Sequence, residues 1–380
     1  LETYVPWAND ATFVAQHREC IASFGVVSLA NLILLNEQLE KNNGGIGEEC
    51  ADDPALSSTA VTVVQQSSQH IKERIERIEA LSKLCFEFAD VEWDFLYNKT
   101  KQLLTIGHNV DDNRNDNSYY DLLASEARLG IFVAISMGKI PQESWFSLGR
   151  HLLNIDDNPV LLSWSGSMFE YLMPTLVMPT YDNTLLAQTE KSSVQRQINY
   201  GKHTEMPWGI SESGYNMIDT AQNYQYHAFG VPGLGLKRGL GEDLVIAPYA
   251  AVMALMVEPE KACQNLLNMS NLGFMGRYGF YEAVDYTPSR LQRNQPFALI
   301  ESFMAHHQGM SMLSIAYVLL GQRMQKRFES EPALNASLLL LEEKIPKTSS
   351  FYAHTGDVAD VHVTASETDI RIIHTPDTAV

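Results

Sequence analysis

The sequence predicts an all-α protein built as one large domain, and three observations carry that prediction. Apolar residues recur at helical spacing over long stretches. Helices of modest length follow one another, interrupted by two long loops rich in Gly, Pro and aromatic residues. Hydrophobic residues make up 45% of 380, enough for a substantial core. Aromatic loops gathered between pairs of helices suggest a toroid of helical hairpins, although no internal repeat is visible and helix count alone does not establish a closed ring.

The elements follow in order. Residues 11–40 read as helical and stop at the breaker KNNGGIG, 41–47. Over 58–89, Ile71, Ile75, Ile78, Leu81 and Cys85 recur at spacings of three and four among Lys, Glu and Arg, which predicts a packed outer helix. Residues 91–106 predict a hairpin around Asn98-Lys99, followed by the polar loop 107–118. Further helices are expected at 118–138, 141–154, 166–178, 183–202, 245–256, 258–271 and 299–325, with loops at 203–243 and 273–297. Loops of that length inside a compact domain usually carry function. Past about residue 346, DVHVTASETDIRIIH alternates like strands and predicts the start of a different module.

Composition removes several function classes. The net charge of −19 opposes binding to nucleic acid or to an anionic membrane surface, since both need clustered Lys and Arg. A neutral partner fits better, and sugar is the commonest neutral polymer. Cys20, Cys50, Cys85 and Cys263 form no CxxC pair, which weakens zinc and redox readings. The longest apolar run, VIAPYAAVMALMV at 245–257, is too short to span a bilayer. HExxH, the phosphate-loop spacing and the GxSxG elbow are all missing; GVPGLGLKRG at 230–239 only superficially resembles a phosphate loop. The chain begins at Leu1 and stops in a strand-like stretch, which reads as a piece of something larger.

The loops concentrate acids and aromatics. MPWGISESGYN, 206–216, sets Glu212 between two serines, with Gly209, Gly214, Trp208 and Tyr215 around it, a context unsuited to plain packing. Asp121 and Glu126 follow Tyr119 and Tyr120; Glu170 lies near Trp164; Tyr224, Gln225, Tyr226 and His227 run together. Arg277, Tyr281, Glu282 and Asp285 share one block, and His306, His307 and Gln308 another. Sugars suit this mixture: their C–H faces stack on aromatic rings and their hydroxyls bond Asp, Glu, Gln and Arg. Cleaving a glycosidic bond typically takes two carboxyl groups, one protonated and one ionised. Plainer readings stand beside these. Glu126 can pair with Arg128 in a helix, Glu170 can satisfy a helix end, and Glu282 and Asp285 can order their loop through Arg277 or Arg290. His306 and His307 can be core histidines, and Trp164 and Trp208 core rings.

Taken together, NVDDNRNDNSYYDLLASEARLG, LLSWSGSMFEYLMPTLVM, PWGISESGYN, NYQYHAFGVPGLGLKRGL, GRYGFYEAVDYTPSR and MAHHQGMSML resemble the glycoamylase-like central region of cyclic β-1,2-glucan synthases. The resemblance covers residues 90–345; residues 1–89 resemble the preceding helical linker and 346–380 the lead-in to a phosphorylase-like domain. It implies an (α/α)6 toroid that cyclises linear β-1,2-glucan by anomer-retaining transglycosylation, with Glu212 as acid/base and Glu126 as nucleophile. Glu170, Glu282 and Asp285 stand in reserve. The candidate sugar platforms are Tyr119, Tyr120, Trp164, Trp208, Tyr224, Tyr226 and Tyr281, and the candidate substrate contacts are Asp121, Glu170, Gln225, Arg277, Glu282, Asp285, His306 and Gln308. No metal or organic cofactor is implied. The implied partners are linear β-1,2-glucan and the glycosyltransferase and phosphorylase-like domains of the same synthase. The implied location is the cytoplasmic face of a bacterial inner membrane, without insertion by this segment. The alternatives are an endo-β-1,2-glucanase on the same fold and a non-catalytic glucan-holding module.

Overall fold

The computed structural model describes residues 3–9, 11–16, 18–23, 28–44, 54–155, 158–237 and 239–346. Contacts divide the chain into two compact units, 1–92 and 93–380. In the first, helix Leu29–Gly44 packs on the 36-residue helix Pro54–Ala89. Leu32, Leu35 and Leu39 recur at three and four, meet Val64 and Ile71, and close over Trp7. The polar groups buried with them are paired: Trp7 Nε1 donates to Asn36 Oδ1 (3.1 Å), and Asn36 Nδ2 to Ser67 Oγ (3.0 Å). Within the expected stripe of the long helix, Ile71 is buried and Ile75 partly so, whereas Ile78, Leu81 and Cys85 are exposed.

The second unit contains four helix pairs among the described residues. Ser125–Ser136 is followed by Glu143–Ser147, and Met168–Leu172 by Leu185–Thr204. Pro248–Met253 is followed by Pro259–Asn271, and Ala305–Leu319 by Arg323–Ser330. The first members form an inner layer in which each touches the next. Every residue from Pro248 to Ala254 is buried, an all-round apolar helix that only a core position tolerates. The second members are one-sided. Along Leu185–Thr204, Leu186, Glu190, Val194, Gln197, Ile198 and Gly201 are buried at helical spacing, and Lys191, Lys202 and His203 are exposed.

The structure corrects the all-α expectation: thirteen short strands form six small sheets among the described residues. They lie in the segments expected to be loops and at helix ends. Tyr97–Asn98 pairs with Leu103–Leu104, which realises the expected hairpin. The loop 203–243 contains the hairpin Ser213–Ile218 with Tyr224–His227. Ala283–Asp285, from the loop 273–297, is the centre of a three-stranded sheet between Val245–Ile246 and Ala298–Ile300. These pairings satisfy backbone groups that a bare buried loop would leave unpaired.

Other expected helices are shorter than predicted, each for a local reason. The helix expected from 118 begins at Ser125, because Asp121 turns the chain by accepting from the Leu123 and Ala124 N–H groups. The one expected over 141–154 ends at Ser147, and Leu152–Ile155 instead pairs with Asn158–Leu161 ahead of the helix face. Met168–Leu172 tightens to a 3-10 turn at Pro174. The stretch 299–325 divides at Gly321 and Gln322, both with positive φ. The strand-like tail expected after 346 lies outside the described residues.

Phe132 is fully buried in the core of this unit, edge-on to Trp145 (6.0 Å) and tilted against Phe328 (5.4 Å). Phe132→Ala is expected to cost about 3–5 kcal/mol of folding stability, read as a lowered urea midpoint at unchanged slope. A midpoint equal to the parent's would mean that the inner layer is not the core.

Candidate active site

Four inner helices bring their first turns to one region. Glu126 is the second residue of Ser125–Ser136 and Glu170 the third of Met168–Leu172. Tyr249 is the second of Pro248–Met253, and His306 and His307 the second and third of Ala305–Leu319. The loop carrying Glu212 bonds to two of them, at Phe169 and Tyr249.

That loop is held by the helices around it. Gly209 takes φ +135°, which a side chain would strain, with the Ala247 carbonyl 3.1 Å from where its Cβ would be. Gln197, buried on Leu185–Thr204, clamps Ile210 from both sides: its Nε2 donates to the Ile210 carbonyl (2.7 Å) and its Oε1 accepts the Ile210 N–H (2.9 Å). Tyr249 Oη donates to the Glu212 carbonyl (2.9 Å) and lies 2.8 Å from Ser211 Oγ. Because Tyr249 has one proton, Ser211 must donate to it, leaving a Ser211 lone pair for the Phe169 N–H at 3.0 Å. Each proton has one place to go.

The structure sorts the acids by what already occupies them. Glu170 closes a capping box with Ser167, and its Oε2 also accepts from Ser163 Oγ (2.8 Å), from Ser165 N (3.1 Å) and from Ser165 Oγ. Asp121 is occupied by the turn that leads into Ser125–Ser136, where it accepts the Leu123 (2.8 Å) and Ala124 (3.0 Å) N–H groups. Asp285 is wholly buried under Arg290, whose Nε lies 2.7 Å from Oδ2, and it accepts the Thr287 N–H (2.9 Å) and Asn216 N–H (3.0 Å). Glu282 is buried against His307 Nδ1 (2.9 and 3.0 Å) and the Gly214 N–H (3.3 Å). Glu126 and Glu212 remain. Glu126 is exposed and accepts from Ser125 Oγ (2.8 Å); Glu212 is half-buried and accepts from Tyr226 Oη at Oε1 (3.0 Å). Arg128 is not a partner of Glu126 but points inward, where its Nη2 reaches the Glu170 carbonyl (3.4 Å).

The electrostatics separate the two free acids. Burial pushes the Glu212 carboxyl above its ordinary value, and the nearby charges of Glu126 and Glu170 push it further; Tyr226 and His307 act against them. Burial, and then the charge of Glu212, pushes the Tyr226 hydroxyl far upward, so it remains a donor. Glu126 sits in a helix's first turn, where the dipole favours negative charge.

The remaining expected site residues divide in the same way. Tyr120, Trp164 and Arg277 are exposed, and Tyr224, Gln225, Tyr281 and Gln308 are half-buried. Tyr119 accepts from Asn98 Nδ2 at 2.7 Å. His306 is exposed and lies 4.0 Å, ring to ring, from His307. Trp208 is not a platform: it is 7% exposed and its backbone is clamped at both ends by Asn265 (3.2 and 2.7 Å). The glycine-rich segment near 230 serves packing. A Cβ on Gly230 would lie 1.7 Å from the Ser165 carbonyl, so its glycine lets two backbones meet behind Glu170. Sequence reasoning did not select Tyr249 or His307 for the site, although the paired histidines marked the position. Among the described residues, no three His, Cys, Asp or Glu side chains are grouped to hold a metal ion.

Comparisons with known proteins agree with this architecture. The Glycoamylase family model, described as "Putative glucoamylase", matches residues 118–332. Over 359 residues, 91% of this chain, the sequence is 38% identical to the cyclic β-(1,2)-glucan synthase NdvB of Rhizobium meliloti (strain 1021), and the chain spans 12% of that relative's length. An endo-β-1,2-glucanase mutant from Talaromyces funiculosus, solved in complex with β-1,2-glucan, matches with a TM-score of 0.50 and 12% identity. The match covers 82% of this chain and 61% of that one, and it is a likeness of fold.

If Glu170 is a cap, its loss is felt first in folding. Glu170→Ala is expected to lower stability by about 1–2 kcal/mol in a denaturant titration. Unchanged stability with lost glucan binding would move it to the substrate side.

Proposed function

The chain belongs to the glycoamylase family, and from that premise we propose that it is a retaining transglycosylase that cyclises linear β-1,2-glucan. The observation that carries the reading is the pair left free by the sorting above. A half-buried carboxyl with a raised pKa suits a proton donor, and an exposed carboxylate whose charge is felt by it suits a nucleophile. Glu212 delivers its proton to the glycosidic oxygen as Glu126 attacks the anomeric carbon. The C–O bond breaks, the leaving oxygen keeps the electron pair and the proton, and a glycosyl-enzyme ester forms. The 2-hydroxyl at the non-reducing end of the same chain then gives its proton to Glu212 and attacks the ester, restoring Glu126 and closing the ring. Water is the rival acceptor, and the tethered end gains over it through effective concentration. Tyr120 and Trp164, exposed near this cleft in sequence and in fold, are the proposed stacking platforms.

The similarity to a cyclic β-(1,2)-glucan synthase supports the substrate, and the fold likeness to an endo-glucanase is the reason hydrolysis stands as the second reading. The proposal extends to the architecture: the four described helix pairs belong to an (α/α)6 toroid whose cleft lies at the inner helices' N-terminal ends. It extends also to context, with glycosyltransferase and phosphorylase-like domains as neighbours in a bacterial inner-membrane protein and this region on the cytoplasmic face. No helix among the described residues is long and apolar enough to cross a membrane.

Incubation with linear β-1,2-glucan followed by mass spectrometry tests the reaction: cyclic products run one water lighter than linear glucans of equal length. Linear products alone would favour hydrolysis, and none of either kind a binding module. Glu212→Gln is expected to lower turnover at least about a hundredfold while glucan binding persists. The pH profile has a fixed sign. The acid form of Glu212 is the active one and its pKa is raised, so turnover persists above the ordinary glutamate range and falls as pH rises through the raised value. A profile that rises with pH there would exclude Glu212 as the proton donor.

A further inference from the structure

Behind Glu212 runs a line of side chains that the mechanism above does not use. Glu212 Oε1 is 3.0 Å from Tyr226 Oη, and Tyr226 Oη is 3.3 Å from His307 Nε2. His307 Nδ1 is 2.9 Å from Glu282 Oε1, and both those side chains are 1% exposed. The His307 ring lies flat on Tyr249, with centroids 3.7 Å apart and planes 11° from parallel, so its orientation is fixed. The four residues come from four places: the loop before Ser213–Ile218, the strand Tyr224–His227, the residue before Ala283–Asp285, and the first turn of Ala305–Leu319. A purely structural role for Glu282 and His307 needs only their mutual contact. It does not require the other imidazole nitrogen to face the hydroxyl that touches the free acid.

Counting protons shows what the line can do. With Glu212 protonated, its O–H donates to Tyr226, Tyr226 donates to His307 Nε2, and His307 Nδ1–H donates to the Glu282 carboxylate. Moving each shared proton one step along gives a second filling. Tyr226 then donates to an ionised Glu212, His307 Nε2–H donates to Tyr226, and the imidazolium is paired with Glu282. Both fillings hold the same number of protons on the same heavy-atom positions. The geometry points to Tyr226, His307 and Glu282 as positioning residues that form a proton-holding chain for Glu212, in which one proton lies either on the acid or on the buried imidazole. The chain gains a proton from the attacking hydroxyl and loses one to the leaving oxygen, so each turnover balances. The groups facing Glu212 are Tyr226, Glu126, Glu170 and His307; those facing His307 are Glu282, Tyr226, Tyr249 and His306.

This inference rests on Glu212 being the acid/base, and the test separates the two. Tyr226→Phe keeps the ring and breaks the chain; Glu282→Gln keeps size and removes the charge that stabilises the imidazolium. Each is prepared alongside Glu212→Gln, with linear β-1,2-glucan as substrate and folding checked by circular dichroism. For both chain variants we expect kcat to fall about tenfold with KM unchanged, and the alkaline limb of the kcat–pH profile to move up by about one unit. The limb moves upward because each loses a feature that favours the ionised form of Glu212. The double variant should lose no more than the worse single one, as expected of residues that act as one unit. Should Glu282→Gln fail to fold, Tyr226→Phe at the half-open end still decides. An inactive Glu212→Gln together with an unmoved pH limb in the chain variants would overturn the chain alone, whatever happens to kcat. An active Glu212→Gln would overturn both the chain and the acid/base assignment.

Discussion

Short inner helices whose first turns meet in one region impose the constraint from which the site follows. Where such a first turn is buried, its N–H groups must find acceptors within the protein. Ser211 takes the Phe169 N–H and Glu170 closes its box with Ser167, while Asp121 turns the chain into Ser125–Ser136. At the start of Met168–Leu172 polar side chains therefore collect because the backbone needs them there. The same ends carry the positive poles of the helix dipoles, which favour carboxylates. The gathering of acids at the helix N-termini is thus in part a structural outcome. Chemistry is left to the acids that capping does not occupy.

The floor of the cleft is rigid for the same reason. Gln197 uses both ends of its amide on one residue, Ile210, and so fixes the height of the Glu212 loop against Leu185–Thr204. Tyr249 does three things at once: it receives Ser211, donates to the Glu212 carbonyl, and lies flat beneath His307. A buried network in which every proton has one possible direction resists small displacements, since shifting any member leaves a polar atom unpaired. That rigidity holds a carboxyl group to the tolerance that proton transfer requires.

Much of this was legible in the sequence, and what was not has physical causes. Glu212 could be read because glycines and serines around an acid leave no packing role for it. The helices 185–204 and 259–271 could be read because their faces alternate between core and solvent. Pro248–Met253 has no polar face, so periodicity marks it only as an apolar run. His307 was passed over because a histidine opening an apolar helix looks like a core residue. It is one by burial, and its hydrogen-bond neighbours, Glu282 and Tyr226, are 25 and 81 residues away in sequence. Trp208 misled in the opposite direction. A tryptophan in a glycine-bearing loop suggests a sugar platform, yet Asn265 on the next outer helix draws that backbone into the core. The small sheets went unseen because two-residue strands carry no period; their pairing is set by the helices that bring the loops together.

One consequence of the electrostatics links the two halves of the proposed reaction. The charge of Glu126 is among the causes that hold the Glu212 carboxyl above its ordinary value. When Glu126 forms an ester with the sugar, that charge is gone. Glu212, having just lost its proton, then sits in a field with one fewer negative neighbour, and its affinity for a proton falls. It is a proton donor before the covalent step and a weaker acid-holder after it, without any movement of the chain. Once the acceptor hydroxyl has attacked and freed Glu126, the charge returns and Glu212 again favours its acid form. A neutral substrate is the right partner for such a cycle. A charged one would add its own field at each stage, whereas a glucan changes the site by displacing water, which strengthens the existing interactions. The acidity around Glu212 and the neutrality of the proposed substrate are in this sense two sides of one requirement: in the proposed cycle, the charge that alternates at Glu126 must be the one that Glu212 feels most.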